Sequence, residues 1–128
     1  MKPVLNRKKI FSPTGFLVEL VSSKYKDTPF NMHSYLVKIN VGCSRANHYH
    51  EKKEEWMTAV NGKILLRLKN IFTKQKKEYL LDAGSAAHKI IHVSPGWAHS
   101  VEAVDKDGTI VVFSLTPEDK NDTISYEL

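Results

Sequence analysis

Two histidines one residue apart, His48 and His50, are the first residues whose type and spacing suggest chemistry. They lie in the stretch RANHYHEKKEEW, residues 45–56. On a β-strand, side chains at i and i+2 share a face, so both imidazoles would project together, opposite to Tyr49. Neutral imidazoles are common ligands of divalent metals. The alternative is a polar turn in which both histidines are incidental.

A glutamate and a third histidine extend this pair to four candidate metal ligands. Glu55 begins the next apolar run, with Met57 and Ala59 on its own face, and would place a carboxylate against the two imidazoles. Far downstream in SPGWAHSV, His99 shares a face with Val101, so we expect it near the core. Three imidazole nitrogens and one carboxylate oxygen make a divalent-metal site with room for water or substrate.

The remaining histidines and the only cysteine are interpreted as structural. A lone histidine on a strand is more often a core or surface residue than a ligand, and His33, His88 and His92 fall in that class. Cys43 has no partner for an intramolecular disulfide and no motif around it, so it is interpreted as packing.

Short β-strands are the elements expected to position these ligands. Period-two alternation with β-branched residues is the strand signature, and it recurs along the chain. The predicted strands are Phe16–Val21, Ser34–Val41, Trp56–Val60, Lys63–Leu68, Glu78–Leu81, Lys89–Val93, Ser100–Val104 and Thr109–Leu115. Many short strands with frequent turns predict an all-β domain, a sandwich or a small barrel.

Turn residues separate the predicted strands. Asn61-Gly62 lies between two apolar runs and predicts a hairpin, because both residues tolerate positive φ. Further turns are predicted at Asp82-Ala83-Gly84, Ser94-Pro95-Gly96 and Asp107-Gly108. With neither repeats nor linkers, we expect one domain over residues 1–128, with residues 1–10 as an N-terminal arm.

Composition and charge limit the classes of function. The 128 residues are 41% hydrophobic and 26% charged, as in ordinary soluble globular proteins. The formal charge of +5 suits an anionic partner. The basic residues are scattered, so a phosphate-bearing small molecule is favoured over nucleic acid. With no signal-peptide pattern, no stretch able to span a bilayer and a single cysteine, we expect a cytoplasmic protein.

The candidate ligands stand at spacings that resemble the two cupin motifs. GCSRANHYHEKKEEWMTAVNG is similar to the first motif, with Gly42, five residues, His48-x-His50, four residues, Glu55, six residues and Gly62. SPGWAHSVEA is similar to the second, with Gly96 and His99. This resemblance implies a single-domain cupin jelly roll, a β-sandwich or barrel, with His48, His50, Glu55 and His99 as metal ligands.

The match departs from the family pattern in places that leave the ligand set intact. Ser94 stands where proline is usual, and Ala103 where asparagine is common. Glu54 competes with Glu55, because cupins tolerate either spacing, but the six-residue gap to Gly62 favours Glu55.

A narrower resemblance is to cupins that act on nucleotide-linked sugars. FSPTGFLVEL, RANHYH and DTISYEL are similar to segments of deoxythymidine-diphosphate-sugar 3,5-epimerases, of 3,4-ketoisomerases and of the zinc-binding C-terminal cupin of capsular-polysaccharide synthesis reductases, although Ala46 replaces their usual glycine. The segment NHYH…E is closest to the zinc-binding type. The resemblance implies an epimerase or ketoisomerase of 4-keto-6-deoxyhexoses in deoxysugar or surface-polysaccharide synthesis, with zinc favoured over iron, manganese or nickel.

The resemblance gives His48 and His50 two incompatible roles. His48 aligns with the catalytic base of the epimerases and His50 with the second histidine of the ketoisomerases, yet both would be zinc ligands in the capsular type. A metal-bound imidazole nitrogen has no lone pair left for a proton. We favour ligation, because Glu55 and His99 complete a ligand set. The candidate proton carriers are then Tyr35, Tyr49 and Glu102.

Substrate and subunit contacts follow from the same resemblance. Arg45 matches the arginine that meets the nucleotide sugar in the epimerases, and its planar fork suits a diphosphate; a solvated surface arginine is the alternative. Trp97 and Tyr49 are candidates for stacking on a base or sugar ring, or for packing. Trp56 is expected outside the barrel, against a second subunit. We expect a homodimer, because small jelly rolls pair to cover their sheet edges.

Two other functions stay open. The first is an Fe(II)-dependent cupin dioxygenase or lyase with the same four ligands. The second is a non-enzymatic cupin that binds a sugar or metabolite. The segment around Arg45 and the terminal DTISYEL favour the nucleotide-sugar enzyme over the first.

Overall fold

Nine β-strands account for the regular structure of the described part of the chain, apart from one short 3₁₀ turn. The computed structural model describes residues 4–27 and 31–128. The strands are β1 (Ile10–Ser12), β2 (Gly15–Ser22), β3 (His33–Ile39), β4 (Ser44–Tyr49), β5 (Glu55–Asn70), β6 (Lys76–Asp82), β7 (Ile91–Val93), β8 (Trp97–Ser114) and β9 (Ile124–Ser125), with the 3₁₀ turn at Lys120–Asp122. Within these described ranges, no helix is long and apolar enough to cross a membrane.

The strands form one antiparallel sheet that curls into a half-barrel around the two longest strands. The order β1-β2-β3-β8-β4-β9 runs across the sheet, and β5 pairs with β6, β7 and β8. The second half of β8 pairs with β3, its first half pairs with β4, and β5 follows it along both halves. The predicted all-β fold class is confirmed.

The core lies inside this curled sheet, on the faces that alternation predicts. Tyr35, Val37 and Ile39 of β3 are buried, as are every second residue of the β5 and β8 segments that face them. Glu55 opens the buried series of β5 that continues with Met57. The apolar alternation of β5 therefore carries the carboxylate of Glu55 into the barrel interior.

The predicted hairpin at Asn61-Gly62 is wrong, because β5 continues through it. Both apolar runs flanking Gly62 pair with the same strand, β8, and only the register shifts there. Asn61 pairs with Thr109 whereas Lys63 pairs with Val104, so β8 bulges opposite Gly62. Gly62 has φ +72°, as a hairpin turn would also require. A bulge and a two-residue turn thus share the same local sequence preference.

The predicted turn at Asp107-Gly108 belongs to the same irregularity. These two residues lie within β8, in its bulge, and do not separate two strands. The turns after β6 and before β8 are where the sequence predicts them. The three-residue β1 and two-residue β9 escaped prediction, because alternation cannot be detected over so few residues.

Substitution of Gly62 tests the bulge. A Cβ at Gly62 would lie 2.8 Å from the backbone oxygen of Asp107, in addition to the strain of positive φ. We expect Gly62→Ala to destabilise the fold by about 2–3 kcal/mol in denaturant unfolding. Gly42→Ala is the matched control, because φ is +76° there but nothing lies within 4 Å of the added carbon. Equal losses of stability in the two variants would contradict the close approach at the bulge.

His33 is a buried core histidine, as the sequence indicates, and its Nδ1 lies 2.8 Å from Ser22 Oγ. Burial, with the nearby Lys53 cation, lowers the pKa of His33 below its ordinary 6.5. Below pH 6.5 the unfolded chain therefore takes up a proton that folded His33 refuses, and stability falls as pH falls. Between pH 6.5 and 5, we expect wild type to lose stability faster than His33→Gln, by up to about 1.4 kcal/mol per pH unit. Parallel stability curves for the two proteins would contradict this.

Candidate metal centre

Four side chains from three distant parts of the chain meet inside the half-barrel. They are His48, His50, Glu55 and His99, and one candidate ligand atom from each lies within 4.8 Å of all the others. His48 of β4 pairs directly with His99 of β8, and Glu55 is the first residue of β5. The sheet thus brings together all four residues that the sequence singled out.

A bulge in β4 sets the orientation of the His48 side chain. Ala46 and Asn47 have φ of 71° and 55°, and the pairing of β4 with β8 shifts between Ala46 and His48. Such a bulge re-orients the side chains that follow it. The rings of His48 and His50 lie 4.8 Å apart between centroids, although His50 is just beyond the end of β4.

Glu55 contacts two of the three clustered histidines and is fully buried. Its Oε1 lies 3.1 Å from Nε2 of His50 and 3.3 Å from Nε2 of His99. Its Oε2 accepts a 2.5 Å hydrogen bond from the Tyr35 hydroxyl and lies 3.5 Å from the Lys53 ammonium. Burial alone would raise the pKa of Glu55, but His50, His99 and Lys53 together hold it well below its usual value. The group is therefore a carboxylate.

Backbone carbonyls fix the tautomers of two histidines. Nδ1 of His50 donates to the carbonyl of Asp122 at 2.7 Å, and Nδ1 of His99 donates to the carbonyl of Trp97 at 3.2 Å. With Nδ1 engaged in this way, Nε2 is the nitrogen that each ring turns towards Oε1 of Glu55. Burial lowers the pKa of His50, but the hydrogen bond and charge of Glu55 outweigh it and raise that pKa above its ordinary value. Outer hydrogen bonds of this kind typically orient metal-binding histidines.

These donors fit a divalent cation. Nε2 of His99 is buried and has no hydrogen-bond partner among the described residues, although it faces the Glu55 carboxylate. An imidazole nitrogen that faces a carboxylate oxygen needs a proton or a metal cation between the two atoms, because two lone pairs repel each other. Burial, together with the neighbouring His99 and His50, lowers the pKa of His48 to about 3, so this ring is neutral and has a lone pair to offer. The geometry therefore identifies the cluster as a possible metal site.

Lys53 and Tyr35 contact the second oxygen of the Glu55 carboxylate, Oε2. Lys53 is 5% exposed, and within the described part of the chain its ammonium nitrogen makes no hydrogen bond. Burial and the neighbouring Glu55 raise the pKa of Tyr35 well above its usual value, so the phenol keeps its proton and donates it to Oε2. Sequence reasoning missed Lys53, although it lies two residues before Glu55 and therefore on the same face of an extended chain.

A carboxylate near the C-terminal end of the chain holds the loop between His50 and Glu55. Asp122 is buried, and it accepts hydrogen bonds from the backbone N–H groups of Glu51, Lys52 and Lys53 at 2.8–3.2 Å. Its own carbonyl accepts from His50. Nothing in the sequence pattern pointed to this role.

The cluster opens into a cavity of about 210 Å³. His48 and His99 lie on its wall together with Tyr35, Arg45 and apolar side chains such as Met57. The Arg45 guanidinium donates to Ser12 Oγ at 2.7 Å and to Thr14 Oγ1 at 3.0 Å, which attaches it to the β1–β2 turn. Arg45 is thus half-buried beside the cluster and is not a freely solvated arginine.

Several other candidates from the sequence lie away from the cavity. Tyr49 packs edge-on against Tyr126, and Glu102 pairs with Arg67 at 3.0 Å. Neither residue is a cavity-lining proton carrier. Glu54, the competing carboxylate, is exposed and pairs with His92 at 2.8 Å.

The predicted aromatic and histidine surface positions also lie outside the cluster. Trp56 stacks on His92 with ring centroids 5.0 Å apart. Trp97 lies under the ammonium of Lys77, 5.0 Å from its ring centroid, and lines a separate groove. His88 contacts Thr58 on the exposed side of β5. Of the residues considered for substrate contact and proton transfer, Arg45 and Tyr35 line the cavity.

Comparisons with known proteins agree with this fold. Residues 12–124 match the polysaccharide biosynthesis C-terminal domain family. The structure is similar to the capsular polysaccharide assembling protein CapF from Staphylococcus aureus, with a TM-score of 0.85 and 20% identity over 98% of this chain and 33% of that chain. No curated protein matches the sequence.

Oxalate decarboxylases have the same fold. A variant from Bacillus subtilis aligns with a TM-score of 0.79 and 16% identity over 94% of this chain and 30% of that chain. A formate complex from Lactobacillus farciminis aligns with a TM-score of 0.77 and 20% identity over 93% of this chain and 33% of that chain. This chain thus spans about a third of the solved proteins it resembles. It belongs to the polysaccharide biosynthesis C-terminal domain family, and its fold is that of a cupin.

Proposed function

We propose that this protein is a metal-dependent cupin that epimerises or isomerises a nucleotide-linked 4-keto-6-deoxyhexose in deoxysugar or surface-polysaccharide synthesis. The observation that carries the proposal is the shared cavity, in which Arg45 lies beside the His48 and His99 side of the cluster. Membership of a polysaccharide biosynthesis family supports it, as does the likeness to CapF, a capsular polysaccharide assembling protein.

In this proposal the four clustered residues hold the ion, and zinc is the preferred one. His48, His50 and His99 contribute neutral nitrogens, and Glu55 contributes Oε1. A bound divalent ion supplies a Lewis acid that polarises the ketone of the sugar. Since the lone pairs of His48 and His50 are used in holding the ion, we assign both as ligands and not as the base that a metal-free epimerase would need.

Arg45 is proposed to hold the diphosphate of the substrate. Its bonds to Ser12 and Thr14 orient the guanidinium at the cavity wall. A planar guanidinium binds phosphate oxygens in pairs, which fixes the orientation of the ligand as well as its charge. The cavity of about 210 Å³ suits a single hexose, with the nucleotide outside it.

Solvent deuterium exchange tests the reaction. Removing the acidic proton beside the ketone and adding one from solvent labels that carbon in an epimer and the former ketone carbon in an isomer. We expect the zinc-loaded protein in heavy water to incorporate deuterium into at least one of a panel of deoxythymidine- and uridine-linked 4-keto-6-deoxyhexoses. No exchange across the panel would remove the proposal.

Two further measurements, made beside the exchange assay, distinguish the rival functions. Oxygen consumption by the Fe(II)-loaded protein would favour a cupin dioxygenase, and tight retention of a sugar nucleotide without exchange would favour a binding module. Neither outcome is expected from the enzyme proposed here.

A cytoplasmic homodimer completes the proposal. The edge strand β1 exposes Ile10 (58%) and Phe11 (73%), which is the kind of open apolar edge that pairing of subunits covers. The unpaired Cys43 is compatible with a reducing compartment. Sedimentation should give twice the mass of the chain, and a monomer at micromolar concentration would contradict the dimer.

A further inference from the structure

A carboxylate that the metal cluster does not use lines the same cavity. Glu118, in the segment between β8 and β9, faces this space together with His48 and His99. We propose that Glu118 is the general base that removes the proton from the carbon beside the substrate ketone. This inference rests on the proposed function and adds the proton carrier that the ligand assignment leaves missing.

The other polar groups on the cavity wall are already used or chemically unsuited. His48 and His99 belong to the ligand cluster, and the Tyr35 hydroxyl donates to Oε2 of Glu55. Arg45 is a permanent cation and cannot take a proton. Among the cavity-lining residues that the structure describes, Glu118 is the carboxylate outside the ligand cluster.

A hydrogen bond from Thr123 orients the carboxylate of Glu118. Thr123 Oγ1, itself on the cavity wall, shares its one proton between Oε1 of Glu118 at 3.0 Å and the carbonyl of Asp119 at 3.1 Å. That bond occupies one carboxylate oxygen and leaves the other for a substrate C–H bond. A hydroxyl that orients a carboxylate in this way fixes its reach without neutralising it.

The segment that carries Glu118 is attached to the metal cluster. Asp119 accepts from the backbone N–H of Asn121 at 2.9 Å, and Asp122 binds the loop between His50 and Glu55 and accepts from His50 through its carbonyl. The segment that follows Glu118 therefore contacts the ligand loop through Asp122. Glu118 is an exposed residue, and the next residue in the chain is held through its carbonyl, which lies 3.1 Å from Thr123 Oγ1.

The proposed proton transfer needs only the substrate, Glu118 and solvent water. The C–H bond beside the ketone breaks, its proton moves to the free oxygen of Glu118, and its electron pair delocalises onto the ketone oxygen as an enolate. In an epimerisation, a proton from solvent adds to the opposite face of that carbon and restores the ketone, and Glu118 releases its proton to solvent. In an isomerisation, Glu118 returns a proton to the former ketone carbon, and the neighbouring hydroxyl group passes its proton to the former ketone oxygen. Deuterium enters the product directly from solvent in the first case and by exchange on Glu118 in the second.

The test compares exchange rates in four zinc-loaded proteins. Loss of a general base typically costs 10²–10⁴-fold, so we expect Glu118→Gln to slow deuterium incorporation at least about 100-fold, with wild-type zinc content and melting temperature. Thr123→Val should slow it about tenfold, because the carboxylate remains but is less well oriented. Glu127→Gln, an exposed glutamate on a different groove, is the matched control and should stay within about twofold.

Chemical rescue separates a base from a structural role. Formate added to Glu118→Gly should restore part of the exchange rate, whereas a residue that only shapes the cavity would show no rescue. Wild-type exchange rates in Glu118→Gln with full zinc content would overturn this inference and leave the proposed function standing. Absence of exchange in wild type would overturn both.

Discussion

The Glu55→Ala variant is expected to lose its bound metal, from about one zinc per chain to below about 0.1 after dialysis. Glu55 is the anionic member of the cluster, and its Oε1 faces both His50 and His99. Its removal also leaves the Lys53 ammonium buried without a counter-charge and the Tyr35 hydroxyl without an acceptor. Breaking a buried ion pair costs about 3–5 kcal/mol, so the melting temperature should fall as well.

Matched variants separate metal loss from unfolding. Glu55→Gln keeps the shape of the side chain and should fold better than Glu55→Ala while still losing zinc. His50→Ala should lose zinc too. Glu54→Ala, at the adjacent exposed glutamate, should keep it, as should His92→Ala. Zinc measured by elemental mass spectrometry at the wild-type level in folded Glu55→Gln would refute the ligand assignment.

The Asp122→Ala variant is expected to weaken zinc binding about 10–100-fold without removing a ligand. The lost carboxylate accepts hydrogen bonds from three consecutive backbone N–H groups in the loop that joins His50 to Glu55. Hydrogen bonds to a charged group contribute about 1.5–3 kcal/mol each, so stability should fall by about 3 kcal/mol or more. Competition with a chromophoric chelator measures the affinity, and denaturant unfolding measures the stability.

Asp119→Ala is the control for Asp122→Ala. Its carboxylate accepts from Asn121 at the start of the 3₁₀ turn and does not reach the ligand loop. It should cost about 0.5–2 kcal/mol, as lost caps do, and leave the zinc affinity near that of wild type. Equal zinc affinities in Asp122→Ala and wild type would show that the loop does not need this anchor.

Alternation along the strands was enough to predict which side chains face the interior. The placement of Met57 and Ala59 on one face carried Glu55 with them, and the face of Val101 carried His99. Because the cupin motif spacing fixes two of these positions relative to glycines, the fold and its family could be predicted as well. The error at Asn61-Gly62 has a definite cause. The sequence indicates that Gly62 adopts positive φ, but it does not indicate which strand the residues on either side of Gly62 pair with.

The residues that sequence reasoning missed act through contacts of very long range. Asp122 binds a loop about 70 positions earlier in the chain, and Glu118 reaches a cavity built mainly by β3, β4, β5 and β8. No periodicity connects such positions, because their proximity depends on how the segment after β8 returns to β4. Lys53 could have been found from the sequence, since its position two residues before Glu55 predicts that both side chains share a face. It was missed because lysine side chains are rarely buried, whereas Lys53 is.

Diffraction from zinc-loaded crystals at the zinc absorption edge tests the central claim most directly. The account predicts one anomalous peak inside the half-barrel, at about 2.0–2.2 Å from one nitrogen of each of His48, His50 and His99 and from Oε1 of Glu55. A peak bound elsewhere, or no peak within bonding distance of these four side chains in a folded, zinc-saturated protein, would contradict it.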